Sequence, residues 1–322
     1  MKRRIYRLMS YILEIGFPIT LLSAIWMKLI AVTNTSRVGK LSDYIFMKIG
    51  VLPVNDHYYQ PLINPRKHLS KPLAEDRPLP GLAMNTEKQL EILSQFTFQE
   101  ELLKFPLESR NQLEFFYNNG LYESGDAEFL YSMIRLKQPK KIIEVGCGFS
   151  SLMIANAVAK NKSEDNTYVC SHECIEPYEM KWLSKLNVQL IKNRVQDTPL
   201  SHFKALSKDD ILFIDSSHII RPQGDVLFEI QEILPILQTG VIIHFHDIFT
   251  PRDYPETWIS KEHRLWNEQY LLEAFLSHNS EFEIIGALNY LTHKHFDQLS
   301  QKCPVFASQS GLEPGALWIQ KK

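Results

Sequence analysis

The feature that most constrains this chain is the stretch from Lys141 to Ser151, KIIEVGCGFSS. It opens with an apolar run that is typical of a buried strand, and the helical pattern SSLMIANAVAK follows at once. Gly146 and Gly148 lie between the two patterns, where the backbone must turn sharply and can approach a ligand closely. A helix that begins at such a turn points free backbone N–H groups into a crevice. The stretch therefore predicts a nucleotide-type binding turn.

Strand and helix patterns alternate from this turn to the end of the chain. Elements of this length build parallel sheets that are covered by helices. We therefore predict an α/β, Rossmann-like, doubly wound and mostly parallel seven-stranded sheet with helices on both faces, its last two strands forming a hairpin-like pair at one edge. The strands predicted after the first are 168–175, 188–191, 211–214, 241–245, 281–291 and 316–320. Helices are predicted over 86–104, 125–138 and 225–237.

Polar and turn-forming residues gather where these strands end. In sheets of this kind the ligand binds at the carboxyl ends of the strands, near the point where the strand order reverses. Random strand ends would not be expected to collect so many ionisable groups, so the binding site is predicted here. The residues are Gly146, Gly148, Glu176, Asp215, His218, His246 and Asp247.

The spacing of the glycines bears on the class of cofactor. A dinucleotide-binding site typically has the motif G-x-G-x-x-G and an acidic residue about 20 residues further on. This chain instead has Ser151 in place of the third glycine, and its acid, Glu176, comes 28 residues after Gly148. An acid at the end of the second strand can accept both hydroxyls of a ribose. Its position alone fits NAD and adenosine cofactors alike.

The combination E-V-G-C-G-x-S resembles motif I of the class I S-adenosylmethionine-dependent methyltransferases. The resemblance extends from Asp126 to Gln320. Within this range the chain is similar to the bacterial small-molecule and glycan methyltransferases that carry D-x-x-H after strand four and H-D after strand five. It implies S-adenosylmethionine as cofactor, with Glu144 facing the methionine end and Glu176 binding the ribose. The residues expected to bind the cofactor are Asp126, Glu144, Gly146, Cys147, Gly148, Ser150, Ser151, Glu176 and Asp215.

The expected catalytic residues are Asp215, His218, His246 and Asp247. Methyl transfer is an in-line displacement, so the protein must align the acceptor and remove its proton. Asp215, His246 and Asp247 would suit Mg²⁺ or another divalent cation. The metal-dependent relatives have Asp-Asp-Asn at the corresponding strand ends, and Ile248 stands here in place of Asn. Without a metal, His218 or His246 is the expected general base, because an imidazole titrates near neutral pH.

The segment 249–272 is predicted to be a lid insertion over the acceptor side of the cleft. It contains Tyr254, Trp258, Trp266 and Tyr270, which could stack on a sugar or aryl ring. The alternative is a lid that packs back on the N-terminal part of the chain. His244 alternates with His246 along the fifth strand and is expected to pack under a neighbouring helix.

The N-terminal part has a different composition. Basic residues at positions 2, 3, 4 and 7 precede an uncharged run over 15–27, which is shorter than the ~20 residues that cross a bilayer and contains Pro18. We predict an apolar helix over 1–32 that packs on the domain or contacts a membrane surface through residues 8–32, with a single-span anchor as an alternative. A Pro-rich extended arm over 33–85 and a methyltransferase domain over 86–322 are predicted to follow.

Charge and cysteine content limit the partners and the location. A net charge of −2 provides no basic field for nucleic acid. Four cysteines in 322 residues indicate a reduced intracellular protein rather than a disulfide scaffold. Cys170, His172 and Cys174 are interpreted as strand residues rather than metal ligands, since no second ligand pair lies nearby. We expect a cytoplasmic protein, with peripheral contact to the inner face of the membrane as an alternative.

Together these patterns predict an S-adenosylmethionine-dependent methyltransferase that acts on oxygen of a glycan, a lipid-linked molecule or a small natural product. The strand-end His/Asp cluster would serve as the base or as a metal site. Two alternatives remain. An NAD-type Rossmann oxidoreductase is disfavoured by Ser151 and by the late acid. A non-catalytic cofactor-binding protein is disfavoured because it would not need the strand-end acids and histidines.

Overall fold

The computed structural model describes residues 10–33, 40–57, 59–111, 113–178 and 182–322. They form two units, one that ends at Lys71 and one over Pro72–Lys322. The first unit contains helices α1 (Phe17–Thr33), α2 (Lys40–Ile49) and α3 (Pro65–His68). Among the described residues, no helix combines the length and apolar character needed to cross a membrane. The division at 32/33 and 85/86 stays a prediction.

The second unit is built on a seven-stranded sheet with the order β3-β2-β1-β4-β5-β7-β6. Strands β1 to β5 pair in parallel, and β7 pairs antiparallel with both β5 and β6. This confirms the predicted mostly parallel Rossmann-like sheet. The strands are β1 (Lys141–Val145), β2 (Ser171–Ile175), β3 (Gln189–Ile191), β4 (Ile211–Ile214), β5 (Ile242–Phe245), β6 (Phe282–Ala287) and β7 (Leu317–Lys321).

Helices connect these strands and cover both faces of the sheet. They are α4 (Thr86–Ser94), α5 (Gln99–Leu102), α6 (Asp126–Lys137), α7 (Phe149–Glu164), α8 (Ser201–Lys204), α9 (Asp225–Phe228), α10 (Glu268–Leu276), α11 (Leu288–Lys294), α12 (Phe296–Lys302) and α13 (Pro304–Ser308). Alternate strand residues enter two separate apolar cores. Ile142 and Phe213 pack with residues of α6 and α7, whereas Ile143 and Leu212 pack with residues of α9 and α10. The alternation follows from the two-residue period of a strand.

Three predicted elements differ from the structure. The helix predicted over 86–104 is interrupted between α4 and α5. The helix predicted over 225–237 continues from α9 as a π turn (Glu229–Ile233) and a 3₁₀ turn (Leu234–Ile236), where Pro235 has no N–H to donate. The strand predicted over 281–291 ends at Ala287, and its apolar second half is helix α11. A short apolar run does not distinguish a buried strand from a buried helix.

The last two strands do pair at one edge of the sheet, as expected. However, β7 is the inner strand and β6 the edge strand, and the three helices α11 to α13 connect them. This arrangement places the start of β7 beside β5, because Phe245 pairs with Leu317. The carboxyl end of β5 therefore lies next to the loop that enters β7.

Candidate active site

The glycine turn is fixed by close packing against β4. Gly146 has φ of 77°, and a Cβ there would overlap the carbonyl oxygen of Asp215. Its N–H donates to the carbonyl of Ile175 at 3.1 Å. At Gly148, by contrast, a Cβ would meet no other atom within 4 Å. The first glycine is therefore required by the fold, and the second leaves open space at the start of α7.

Glu144 lies beneath the turn and holds it to α7. Its side chain is fully buried, and its two carboxylate oxygens accept hydrogen bonds from Ser150 Oγ at 2.6 Å and from Ser151 Oγ at 2.8 Å. His172 Nε2 also donates to it at 2.8 Å. Glu144 is not among the residues that line the adjacent cavity. The expectation that it faces the methionine end of the cofactor stays a prediction.

The neighbourhood of Glu144 keeps His172 protonated. Burial alone would lower the pKa of this imidazole, but hydrogen bonds with Cys174 and Glu144 outweigh burial and raise the pKa to about 10. Cys174 lies 3.5 Å from both partners. Cys170 is only half-buried, outside this cluster, and all four cysteines, each within the described ranges, are free thiols. His172 and Cys174 are thus buried residues of β2, whereas Cys170, which was expected in the same strand, precedes it. The expectation that Cys174 binds no metal stays a prediction, because Cys174, Cys147 and Glu144 each offer a ligand atom within 4.8 Å of the others.

Glu176 follows β2 and faces a cavity of about 340 Å³. One carboxylate oxygen accepts from the Tyr178 backbone N–H at 2.6 Å, and the other accepts from the Cys147 N–H at 3.4 Å. The cavity spans the ends of β1, β2 and β4, which includes the point where the strand order reverses. The polar and turn residues that line it include Gly146, Glu176, Arg194, Gln196, Asp215 and Asp225.

Asp215, His246 and Asp247 converge at the ends of β4 and β5. His246 Nδ1 lies 3.6 Å from Asp215 Oδ1 and 3.6 Å from Asp247 Oδ1. One ligand atom from each of the three residues lies within 4.8 Å of the other two. His246 is 5% exposed, and its Nδ1 has no hydrogen-bond partner in the described part of the chain. A buried polar atom in this condition is rare in folded proteins and calls for an explanation.

His218 joins this cluster from the loop after β4. Its Nδ1 donates to Glu268 Oε2 at 2.8 Å, while its Nε2 lies 3.2 Å from Asp215 Oδ1 and 3.6 Å from Asp247 Oδ2. The ring packs on Trp266, with centroids 4.3 Å apart. The structure therefore brings together all four residues that were expected to be catalytic.

As long as no cation is bound, the carboxylates of the cluster favour protonated imidazoles. Burial opposes the charge on His218, but Asp215 and Glu268 raise its pKa to about 10. The pKa of His246 is likewise raised well above its ordinary value, because Asp247 and Asp215 outweigh burial. For Asp215, burial is outweighed by the two histidines, and its pKa is lowered. Burial raises the pKa of Asp247.

Asp126 lies on the other side of His246. Its carboxylate accepts hydrogen bonds from the backbone N–H groups of Ala316 at 2.9 Å and Gly315 at 3.1 Å, and it lies 3.7 Å from His246 Nε2. Asp126, His246 and Asp247 line a second, smaller cavity of about 120 Å³. The strand-end cluster thus lies between two cavities, with Asp215 on the wall of the larger one.

Comparisons with known proteins identify the family. An uncharacterised protein of Archaeoglobus fulgidus is 30% identical over 176 residues, which cover 51% of this chain and 78% of that protein. A family profile described as "Methyltransferase domain" matches residues 143–248, which contain the glycine turn, Glu176 and the strand-end cluster. The part of the chain that carries the site thus belongs to the methyltransferase domain family.

Two solved methyltransferase structures are also similar to this chain. The O-methyltransferase TomG from Streptomyces achromogenes, in complex with SAM, has a TM-score of 0.37 at 13% identity and covers 72% of this chain and 90% of its own. The O-methyltransferase from Bacillus cereus, in complex with SAH, has a TM-score of 0.38 at 12% identity and covers 73% and 91%. Because both TM-scores are below 0.5, the assignment to the methyltransferases rests on the domain match alone.

The segment 249–272, whose role as a lid stays a prediction, packs on itself and on residues near Leu73. Trp258 and Trp266 meet edge to face at 5.2 Å, and the Arg264 guanidinium lies 4.8 Å from the Trp258 ring centroid. The Asp253 N–H donates to the Leu73 carbonyl at 3.2 Å. The lid therefore contacts part of the segment that was predicted to be an arm. Trp258 also lines the smaller cavity, together with Phe249.

His244 belongs to the core of the methyltransferase. It is fully buried, with its ring 4.1 Å from that of Phe213 and 4.6 Å from that of Trp318. Burial lowers its pKa well below the ordinary value, so the ring is neutral. Neither ring nitrogen has a hydrogen-bond partner in the described ranges. As expected, His244 packs in the core rather than in the site.

Sequence reasoning missed several residues around the site. Glu268, at the start of α10, is the acid that holds His218, although 50 residues separate the two. The Tyr122 ring lies 5.0 Å from the His246 ring. Arg194 and Arg221 contribute positive charge to the wall of the larger cavity. Tyr122 is four residues before Asp126, and Glu268 is two residues after Trp266, but no local pattern indicates these contacts.

Proposed function

We propose that this methyltransferase transfers the methyl group of S-adenosylmethionine to a hydroxyl oxygen of a small-molecule acceptor, such as a glycan, a lipid-linked molecule or a natural product. The observation that carries the proposal is His246 Nδ1, buried without a hydrogen-bond partner, 3.6 Å from both Asp215 and Asp247. A hydroxyl is a poor nucleophile at neutral pH. The site needs a group that assists loss of its proton.

The larger cavity is the proposed site of the adenosine part of the cofactor. Its volume of about 340 Å³ falls in the range of ligand pockets. Glu176 at its wall would accept hydrogen bonds from the ribose hydroxyls, and the open space at Gly148 would admit the methionine part close to the backbone. Glu144, Ser150 and Ser151 would set the shape of the turn, and Cys147 would place its N–H beside Glu176.

The smaller cavity is the proposed acceptor side. It meets the strand-end cluster at His246 and Asp247, and Phe249 and Trp258 add aromatic surface that suits a sugar or aryl ring. Asp126 was expected to bind the cofactor, but it lines this cavity and not the larger one. With Glu123 it adds carboxylates that can accept hydrogen bonds from acceptor hydroxyls. An acceptor held here would place its reacting oxygen beside the cluster that separates the two cavities. Alignment of this oxygen with the methyl group is the main contribution of the protein.

Asp215, His246 and Asp247 fit a divalent cation such as Mg²⁺ or Mn²⁺. The two carboxylates supply oxygen ligands that such cations prefer, the imidazole adds a third and softer ligand, and the cation would account for the unpartnered Nδ1. When bound, the cation would attract the acceptor oxygen and make its proton more acidic. His218 would then position Asp215 through its Nε2, and Glu268 would hold the His218 ring in place.

Two measurements test this proposal. Calorimetry should detect binding of S-adenosylhomocysteine and no binding of NAD⁺; the reverse result would favour an oxidoreductase. Radiolabelled S-adenosylmethionine should pass its methyl group to hydroxylated acceptors in the presence of Mn²⁺ or Mg²⁺. Transfer that persists unchanged after exhaustive chelation would remove the cation from the account. Labelling only at acceptor nitrogen would contradict O-methylation.

A further inference from the structure

Helix α1 exposes a broad apolar surface. Phe17, Leu22 and Trp26 are 64%, 68% and 61% exposed. Successive helical residues differ by about 100°, so Ile19, Leu21, Leu22 and Ile25, which are also exposed, spread over about 160° of the helix circumference. Lys28 is the only charged residue of the helix. A helix that is apolar all round is normally buried in a protein core or in lipid.

Helix α2 mixes exposed apolar residues with basic ones. Leu41, Tyr44 and Met47 are all largely exposed, and lysines occupy positions 40 and 48. Aromatic residues such as Tyr44 and Trp26 are favoured at the boundary between lipid and water, where one end of the ring is apolar and the other can be hydrated. Together the two helices expose far more apolar surface than single scattered residues would.

The charge of this part of the chain is opposite to that of the rest. Residues 1–50 contain eight Lys and Arg against two Asp and Glu, whereas residues 51–322 contain 27 basic and 35 acidic residues. Anionic lipid attracts basic residues that lie beside an apolar surface. A second copy of the chain would bring the same excess of positive charge into contact, which disfavours pairing of these helices with themselves.

We propose that α1 and α2 bind to the surface of an anionic lipid bilayer. The apolar side chains of α1 enter the outer part of the hydrocarbon, and the basic residues of the segment contact the lipid phosphates. The association is peripheral, in keeping with the absence of a described helix that could cross a membrane. It is independent of the chemistry of the active site and holds whatever acceptor the enzyme methylates.

Vesicle flotation of the full chain tests the proposal. The chain should float with vesicles of phosphatidylcholine and phosphatidylglycerol, and about tenfold less with phosphatidylcholine alone or at high salt. The double variant Leu22→Glu/Ile25→Glu should reduce flotation about tenfold or more. The matched control Leu103→Glu/Val169→Glu alters two similarly exposed apolar residues of the second unit and should float like the wild type. Binding of S-adenosylhomocysteine should be equal in all three proteins, which separates loss of lipid binding from misfolding.

Trp26 offers a local probe of the same contact. Vesicles that contain brominated phosphatidylcholine should quench part of the tryptophan fluorescence, and Trp26→Phe should remove that part while four other tryptophans remain. The proposal is overturned if the wild type does not float with anionic vesicles, or if the Leu22→Glu/Ile25→Glu variant floats as well as the wild type. If the chain sediments as a stable oligomer that does not bind vesicles, a second copy of the chain covers the apolar surface of α1 and α2. That result would also overturn the proposal.

Discussion

His246 Nδ1 and Asp215 Oδ1 lie 3.6 Å apart at the ends of two neighbouring parallel strands. The register of the sheet pairs Ile214 with Phe245, so the residues that follow each strand meet at the same edge. Asp215 also lines the larger cavity, while His246 lines the smaller one. The contact between the two residues therefore marks the place where the proposed cofactor and acceptor sides of this methyltransferase meet.

Glu176 is expected to contribute directly to cofactor affinity. Glu176→Ala should weaken S-adenosylhomocysteine binding about tenfold or more, because hydrogen bonds to a charged group are worth about 1.5–3 kcal/mol. Calorimetry measures the change. Glu232→Gln, which alters an exposed acid on the helical segment after α9, should bind like the wild type. Unchanged affinity in Glu176→Ala would contradict the assignment of the ribose site.

The two glycines of the turn should respond differently to the same substitution. Gly146→Ala places a Cβ on the carbonyl of Asp215 and forces an alanine to a φ of 77°, so we expect destabilisation of about 1–3 kcal/mol or more in thermal unfolding. Gly148→Ala meets no neighbour in the chain and should leave stability nearly unchanged. It should nevertheless weaken S-adenosylhomocysteine binding, because the cofactor is proposed to use that space. Equal stability of the two variants would refute this interpretation of the turn.

The sheet and the strand-end positions could be predicted from the sequence because both depend on local patterns. Apolar runs of four or five residues define β1, β4 and β5, and the residue after each run must lie at the carboxyl edge of a parallel sheet. Glu176, Asp215 and His246 were found in this way. Asp215 and His246 could be predicted to lie close together because the strands that precede them were expected to be neighbours in the sheet.

Other features depend on contacts between distant parts of the chain, which local patterns do not encode. Glu268 meets His218 only because α10 packs beside the loop after β4. Glu144 was predicted to face the methionine end of the cofactor, and its burial beneath Ser150, Ser151 and His172 depends on the packing of α7 and β2 against β1. The sequence alone could not place its carboxylate.

The cation proposal predicts selective loss of Mn²⁺ binding. His246→Gln and Asp247→Asn should each weaken Mn²⁺ binding about tenfold or more, as judged by electron paramagnetic resonance, because each removes one of three proposed ligands. His263→Gln changes an exposed histidine in the lid and serves as the control. Equal Mn²⁺ affinity in all three variants would mean that the cation, if bound, lies elsewhere.

The protein should become less stable at alkaline pH because His172 loses its proton. Its folded pKa of about 10 exceeds the ordinary value of 6.5, so its stabilising contribution is complete below pH 6.5 and is lost as the pH rises to about 10. One proton corresponds to a slope of at most about 1.4 kcal/mol per pH unit. Urea unfolding at several pH values should show a shallower alkaline decline in His172→Gln than in the wild type. If the free energies of unfolding of the two proteins fall in parallel with pH, deprotonation of His172 is not the cause of the alkaline decline.

The most direct test of the account compares methyl transfer and cofactor binding in His246→Gln. The variant should bind S-adenosylhomocysteine with wild-type affinity, since His246 lies outside the larger cavity. Its transfer of labelled methyl from S-adenosylmethionine to a hydroxyl acceptor that the wild type methylates should fall at least about 100-fold, because His246 is one of three proposed ligands of a cation that would supply several kcal/mol of stabilisation. Wild-type transfer rates in this variant would contradict the assignment of the strand-end cluster to acceptor activation.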